Sequence, residues 1–411
     1  MASIPAKPSV STKLWGAYGI LTLVSASHGM SHAYTALLPL IYPIAMQEFH
    51  FSYGQLGVLM GVSNITGGLM QLAFGYLGRF VLRKTMLAGQ NLVLALVMGL
   101  TGVANAYVPF LATTIAGRIA ISPQHPVGNS MVTDIFGKKL RGSAFAINYS
   151  GGNVGAVLVP MIATVLIMGI GWRWTMAVFA IPGIVLAALL MRLIDEAKSP
   201  VASGERSGGN PLREVFEILN SRIVVLIFLT SIVAAGGRGL GVIMNWVPVY
   251  LRNGLNLDAS YVGMLFTVLM IGSVVGPLAA GRLSDRFGRW AVLLAAYAWA
   301  TVSTLVLTLI GAQSWLLPVV IFILGCASYA ESPILQTYLA DSTRRGSRDL
   351  AYGLYFAITA LAGSLWASAI GYIVDNQGFT VSFYVMSLSY VVAALLVLPA
   401  RERQPESSRQ N

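Results

Sequence analysis

Apolar residues run along this chain in stretches of about twenty or more, separated by short segments rich in Gly, Pro and basic residues. A bilayer crossing needs ~20 mostly apolar residues. Twelve such stretches fall at about 14–45, 53–78, 86–106, 108–133, 142–168, 172–194, 222–250, 260–281, 290–311, 315–340, 349–374 and 379–399. The longest polar stretch, Asp195 to Ser221, lies at the midpoint, and its Ser199-Pro200 and Ser207-Gly208-Gly209 pieces read as flexible linker. Asn210-Pro211 then resembles a helix start, with Asn as cap and Pro at the first helical position. Leu212, Val215, Phe216 and Leu219 share a face beyond it, which predicts a short helix on the membrane surface. The pattern predicts an all-α polytopic membrane protein: tail 1–13, bundle 14–195, linker 196–221, bundle 222–400 and tail 401–411.

Composition agrees with that reading. The chain has 411 residues, 56% hydrophobic and 10% charged, against about 25% charged in soluble domains. Its 43 Gly suit membrane helices that approach one another closely. A lone cysteine, Cys326, excludes an internal disulfide. The net charge of +11 does not point to nucleic acid, because the basic residues sit in short clusters between apolar runs. The first apolar run is too long for a cleavable signal peptide. Twenty-two of the 26 Lys and Arg collect on one side of the predicted membrane, against Arg173 and Arg252 on the other. This bias predicts an even number of crossings with both termini in the cytoplasm.

The two halves align without gaps over long stretches. At an offset of 206, Gly75, Leu77 and Arg83 meet Gly281, Leu283 and Arg289. At an offset of 207, Pro126, Asp134, Arg141 and Gly171 meet Pro333, Asp341, Arg348 and Gly378. Matches at polar and helix-breaking positions do not follow from shared hydrophobicity. They predict two pseudo-symmetric six-helix bundles, the parallel-repeat construction of a six-plus-six transporter.

The segment Gly281-Arg282-Leu283-Ser284-Asp285-Arg286-Phe287-Gly288-Arg289 resembles the signature loop of the major facilitator superfamily, G-x-L-x-D-R-x-G-R. Its glycines suit a tight turn, Asp285 suits a helix cap, and the arginines suit a cytoplasmic anchor. The resemblance implies a conformational gate at Gly281, Asp285, Arg286, Gly288 and Arg289. The first-half copy, Gly75 to Lys84, lacks the Asp and the second Gly. Within the superfamily, residues 28–160 resemble the fosmidomycin resistance group of drug exporters. That likeness rests on His28, Leu37-Leu38-Pro39-Leu40, Ser52 to Gly57, His125-Pro126 and Gly151-Gly152-Asn153-Val154-Gly155. The chain departs from the group at Ser31-His32, where Asn-Asp is usual, and its helix 5 lacks the Gly-Pro pair of the superfamily's antiporter motif.

Ionisable residues at mid-membrane cost roughly 2.5–3.5 kcal/mol and mark cavities or sites. Six lie well inside spans: His28, His32, Arg118, His125, Arg238 and Glu331, confined to the first, fourth, seventh and tenth spans. In the superfamily those four helices line the central cavity, so the resemblance implies that these residues bind substrate. His28 and His32 are spaced i,i+4 and Arg118 and His125 i,i+7, one face in each case. Alternatives stay open: Arg118 pairs with Glu331 as a clamp, His28 bonds a neighbouring helix, and His125 packs beside the Pro126 kink. Arg238, among Gly236, Gly237, Gly239 and Gly241, has no acid nearby in sequence. His28 with His32 has the spacing of a two-histidine metal site, but no third ligand is near in sequence, and neither metal nor cofactor is expected.

Together these readings predict a secondary active transporter of the inner membrane, a monomer working by alternating access and not an enzyme. No nucleotide-binding G-x-x-x-x-G-K-[ST] loop is present, so a proton gradient is the expected energy source, with Glu331, His28 or His32 as carrier. Arg118 and Arg238 against Glu331 leave one excess positive charge, which favours a small anionic or zwitterionic organic substrate. The family resemblance points to export. Proton-coupled uptake of an organic anion is the alternative. A membrane sensor or enzyme is a further one, against which stand short tails and no Ser-His-Asp set.

Overall fold

The computed structural model describes residues 10–11, 16–78, 80–136, 138–196, 211–343 and 348–400. Most of both predicted tails, the flexible part of the linker (197–210) and the basic residues Arg79, Arg344 and Arg345 lie outside the described residues.

The first half comprises α1 (Gly16–Phe49), α2 (Tyr53–Leu77), α3 (Arg83–Gly102), α4 (Tyr107–Ile121), α5 (Asn129–Ile135) and α6 (Lys138–Leu193). The second comprises α7 (Pro211–Leu219), α8 (Arg222–Ala234), α9 (Met244–Val249), α10 (Ala259–Phe287), α11 (Arg289–Leu309), α12 (Leu317–Ser342) and α13 (Arg348–Val397). Two-residue strands, Val10–Ser11 and Asp195–Glu196, pair antiparallel at the end of α6.

The spans predicted at 142–168 and 172–194 are joined more tightly than expected. Only Gly171 separates them, at φ 79° and ψ 160°. Gly378, its repeat mate, does the same in α13 at φ 82° and ψ 176°. That region of backbone space is open essentially to glycine alone. Among the described residues, eight helices are long and apolar enough to cross a bilayer, two of them double-length. Division at the two glycines, with α1 and the interrupted fourth span added, accounts for the twelve predicted crossings. α1 and the fourth span are less apolar because they carry the histidines, an arginine and several Ser and Pro. α1 also runs four residues beyond its predicted end, to Phe49. The chain then turns at His50, and Ser52 with Gln55 forms a capping box that starts α2.

The chain divides into two compact units, Met1–Ser207 with Leu251–Thr267, and Gly208–Tyr250 with Val268–Asn411. In the first, a core cluster gathers Ile20, Leu21 and Val24 of α1 with Leu87 of α3, Met131 of α5 and Leu190 of α6. In the second, a cluster gathers Ile227, Leu293, Tyr297, Leu335, Tyr355 and Ala393. The outward positions are also apolar: Leu158, Met161, Val165 and Met168 of α6 are exposed. An apolar exterior around a polar interior is stable only where the solvent is lipid. A short helix, α7, forms where the Asn210-Pro211 start predicts one. Its Phe216 is exposed while Ile218 packs into the second unit's core.

Candidate functional site

In the first unit, α1 crosses the front of α6 at contact distance because both helices are small there. A Cβ on Gly155 would fall inside the backbone of Gly29, and one on Gly151 would meet the Ser25 carbonyl oxygen at 2.6 Å. The glycine run in helix 5 is therefore a packing surface for α1. Its consequence is the seat of His28, which is 1% exposed. The His28 Nδ1 donates to the Asn148 carbonyl oxygen at 3.0 Å. A carbonyl only accepts, so Nδ1 carries the hydrogen, and when the ring is neutral Nε2 is the lone pair. That Nε2 is buried without a hydrogen-bond partner.

His32 follows one turn along α1, its ring 4.7 Å from that of His28 between centroids. His125 reaches the same point from the fourth span, 5.0 Å from His28. It stands in a π-helical turn, Gln124–Gly128, between α4 and α5. Pro123 and Pro126 account for the turn, since each removes a helical donor and crowds the preceding carbonyl. All three histidines, 97 residues apart at the widest, present ring nitrogens within 4.8 Å of one another. His125 thus joins the two histidines of α1, a neighbour that sequence spacing did not show. Tyr149 borders the group, its ring 5.4 Å from that of His28.

Beneath the histidines lies a network that the census of ionisable residues missed. Gln124 Oε1 accepts from Ser27 Oγ and Gln90 Nε2, both at 2.8 Å. Gln90 also donates to Ser31 Oγ at 3.0 Å, and Asn91 donates to Ser27 Oγ at 2.7 Å. The visible signal was the Gln90-Asn91 pair in the middle of an apolar span. Arg118 donates to Asn64 Oδ1 at 2.8 Å and lies against Gly67.

In the second unit the polar centre is an ion pair. Arg238 Nη2 donates to Glu331 Oε1 at 2.6 Å, with side-chain exposures of 7% and 1%. The same Nη2 lies 3.0 Å from both the carbonyl and the hydroxyl oxygen of Ser231. Of the alternatives left open for Arg118, the clamp on Glu331 does not form: Glu331 takes Arg238, and Arg118 takes a neutral amide. Sequence distance hid this pair, which is separated by 93 residues. Arg238 Nε, Arg238 Nη1 and Glu331 Oε2 find no partner among the described residues. Tyr297, Tyr355 and Tyr390 surround the pair within electrostatic reach.

The seventh span loosens among the glycines that flank Arg238. Arg238 is non-helical at φ −57° and ψ 134°, and Gly241 takes φ 114°. The other glycines serve close packing: a Cβ on Gly237 would meet the Tyr390 ring at 2.5 Å, and one on Gly236 the Ser389 side chain at 2.9 Å. His32 and Arg238 are repeat mates, as are Gln124 and Glu331. The same pair of repeat positions thus holds a histidine and an amide in one bundle and an ion pair in the other.

The signature loop departs from its expected geometry in two respects. Asp285 caps no helix; it lies in the last turn of α10 and accepts from Arg289 Nη1 at 2.5 Å. Gly281 is helical, and the turn falls on Gly288 alone, at φ 88°. Arg289 also reaches Asp341 at 3.4 Å, while Arg286 lies over the Phe287 ring. The repeat mates Arg83 and Asp134 form an ion pair as well. The worn first copy therefore keeps the Arg–Asp link although it has lost the loop's own Asp.

Comparison with known proteins agrees with this architecture. The Major Facilitator Superfamily model matches residues 23–259 and 235–411. The MFS-type transporter YfnC of Bacillus subtilis is 22% identical over 396 residues, 95% of each chain. The fosmidomycin resistance protein of Escherichia coli is 25% identical over 397 residues, 94% of this chain and 92% of that one. Among solved structures, a point mutant of the nucleoside transporter NupG superposes with a TM-score of 0.80 at 12% identity. The match covers 93% of this chain and 99% of that one.

Proposed function

Because this chain belongs to the major facilitator superfamily, we propose that it is a proton-coupled secondary transporter that exports a small zwitterionic or anionic organic molecule. The carrying observation is the buried Arg238–Glu331 pair. Glu331 is the sole carboxyl well inside a predicted span, Asp349 standing at the very start of another, and it has one satisfied and one bare oxygen. A zwitterion replaces both partners at once, its anionic group on Arg238 and its cationic group on Glu331. A proton on Glu331 then competes with the substrate, and competition of this kind makes the coupling an exchange. Exchange against an inward proton gradient is export, the direction suggested by the 25% identity to the fosmidomycin resistance protein. The protein sits in the inner membrane with both termini in the cytoplasm, following the distribution of Lys and Arg. Asp285 and Arg289 act in the conformational switch and do not touch substrate. His28, His32, His125 and Arg118 line the substrate path in the first bundle.

One observation favours a second reading. Arg238 is already held by Glu331, so a purely anionic substrate frees Glu331 to take up a proton, and anion and proton travel together as in uptake. The two readings have opposite pH signatures. A thermal-stabilisation screen of the purified protein against fosmidomycin, organic acids, amino acids and nucleosides, run at two pH values, separates them. Exchange requires the stabilising ligand to bind more weakly at the lower pH. Tighter binding there supports anion uptake, and a ligand indifferent to pH overturns both.

A further inference from the structure

We propose that His28, His32 and His125 bind a divalent transition-metal ion of the zinc class within the first bundle. Three observations carry this. The ring nitrogens of the three side chains lie within 4.8 Å of one another. Tetrahedral zinc with three imidazoles holds its nitrogens about 3.3 Å apart, so each pair closes by no more than about 1.5 Å on binding. Second, the His28 ring is aimed as a ligand: the Asn148 carbonyl fixes the hydrogen on Nδ1 and leaves Nε2 bare. A carbonyl behind a metal-bound imidazole is the usual device for setting its tautomer and orientation. Third, that buried Nε2 has no partner. A histidine with a purely structural role satisfies both ring nitrogens, because a buried unpaired polar atom costs about 1–3 kcal/mol.

The donor set selects the metal. Imidazole suits Zn²⁺, Ni²⁺, Co²⁺ and Cu²⁺, whereas Mg²⁺ and Ca²⁺ demand oxygen. Three nitrogens leave a fourth position open to water or to a ligand from solution. His28 is buried, and His32 and His125 are partly buried. The Gly152 Cα faces the His28 ring so closely that a Cβ there would sit 3.1 Å from its Cδ2 and Nε2 atoms. The helix-5 glycine run thus leaves the room that the ring needs. This site is independent of the proton-coupling proposal, which rests on Glu331 in the other unit.

The test uses the full-length protein, purified through a histidine-free affinity tag and stripped with a chelator. Zn²⁺ is titrated in competition with a chromophoric chelator, and Co²⁺ is titrated while the visible spectrum is read. We expect one ion per chain and an intense tetrahedral Co²⁺ band that Zn²⁺ bleaches. His32→Ala and His125→Ala, the two partly buried ligands, should each weaken Zn²⁺ binding by more than about 100-fold with an unchanged melting temperature. His50→Ala, at the exposed turn after α1, should change nothing. The proposal is overturned if the wild type takes up no ion, if Co²⁺ shows only a weak octahedral spectrum, or if binding survives in the His32→Ala/His125→Ala double variant.

Discussion

Replacing Glu331 by Gln should uncouple transport from the proton gradient without abolishing transport. Gln imitates the protonated acid and keeps an amide oxygen where Glu331 accepts from Arg238 at 2.6 Å. The two contacts from Arg238 to Ser231, each 3.0 Å, remain. Destabilisation should stay at or below about 3 kcal/mol, the low end for removing one partner of a buried pair. The functional magnitude follows from the count of titratable acids. With Glu331 the sole carboxyl well inside a predicted span, one proton is expected to move per cycle. A pH step of one unit is worth about 1.4 kcal/mol, so it sustains at most about tenfold accumulation. The assay is accumulation of a labelled substrate from the stabilisation screen in proteoliposomes, with and without an imposed pH step, beside substrate-for-substrate counterflow. Wild type should approach tenfold per pH unit. Glu331→Gln should settle at equal concentrations while counterflow persists. A Gln variant that still concentrates substrate would refute the assignment, and a wild-type slope steeper than tenfold would require a second carrier.

Asp285→Asn should slow transport by up to about five-fold, because a solvated ion pair contributes at most about 1 kcal/mol; the equilibrium affinity should move little, and a large loss of binding in folded protein would put Asp285 in the substrate site. Gly155→Ala and Gly89→Ala should have opposite signs in thermal melts. A Cβ at Gly155 strikes the Gly29 backbone and should cost about 1–3 kcal/mol, whereas Gly89 faces open space within α3 and should gain roughly 0.5–1 kcal/mol of helix propensity. Equal effects would mean that the α1–α6 crossing is not set by glycine. Gly171→Ala and Gly378→Ala should each lower stability by about 1–3 kcal/mol for strain at their backbone angles, and a neutral melt for either would show that the break tolerates a side chain.

Much of this architecture is legible in one dimension because membrane helices are local objects. Each span must satisfy its own backbone hydrogen bonds and present apolar residues to lipid, so length, hydropathy and breakers mark it without reference to any partner. The repeat is legible for the same reason: Gly171 with Gly378 and Arg83 with Arg289 answer local needs twice. The i,i+4 face of His28 and His32 also follows from helical geometry alone. What joins one helix to another was not legible. His125 meets His28 only because a π turn re-aims it and because Gly29, Gly151 and Gly155 let α1 sink against α6. Arg238 finds Glu331 across 93 residues, and hydropathy gives equal support to Arg118 as the partner. Asp285, expected to cap a helix, is drawn instead to Arg289 one turn away, since a charged donor outcompetes a backbone amide. The residues worth explaining were thus determined by sequence, through the cost of placing them in lipid. Which of them act together was decided by packing, where tenths of an ångström at a glycine contact settle which side chains share a site.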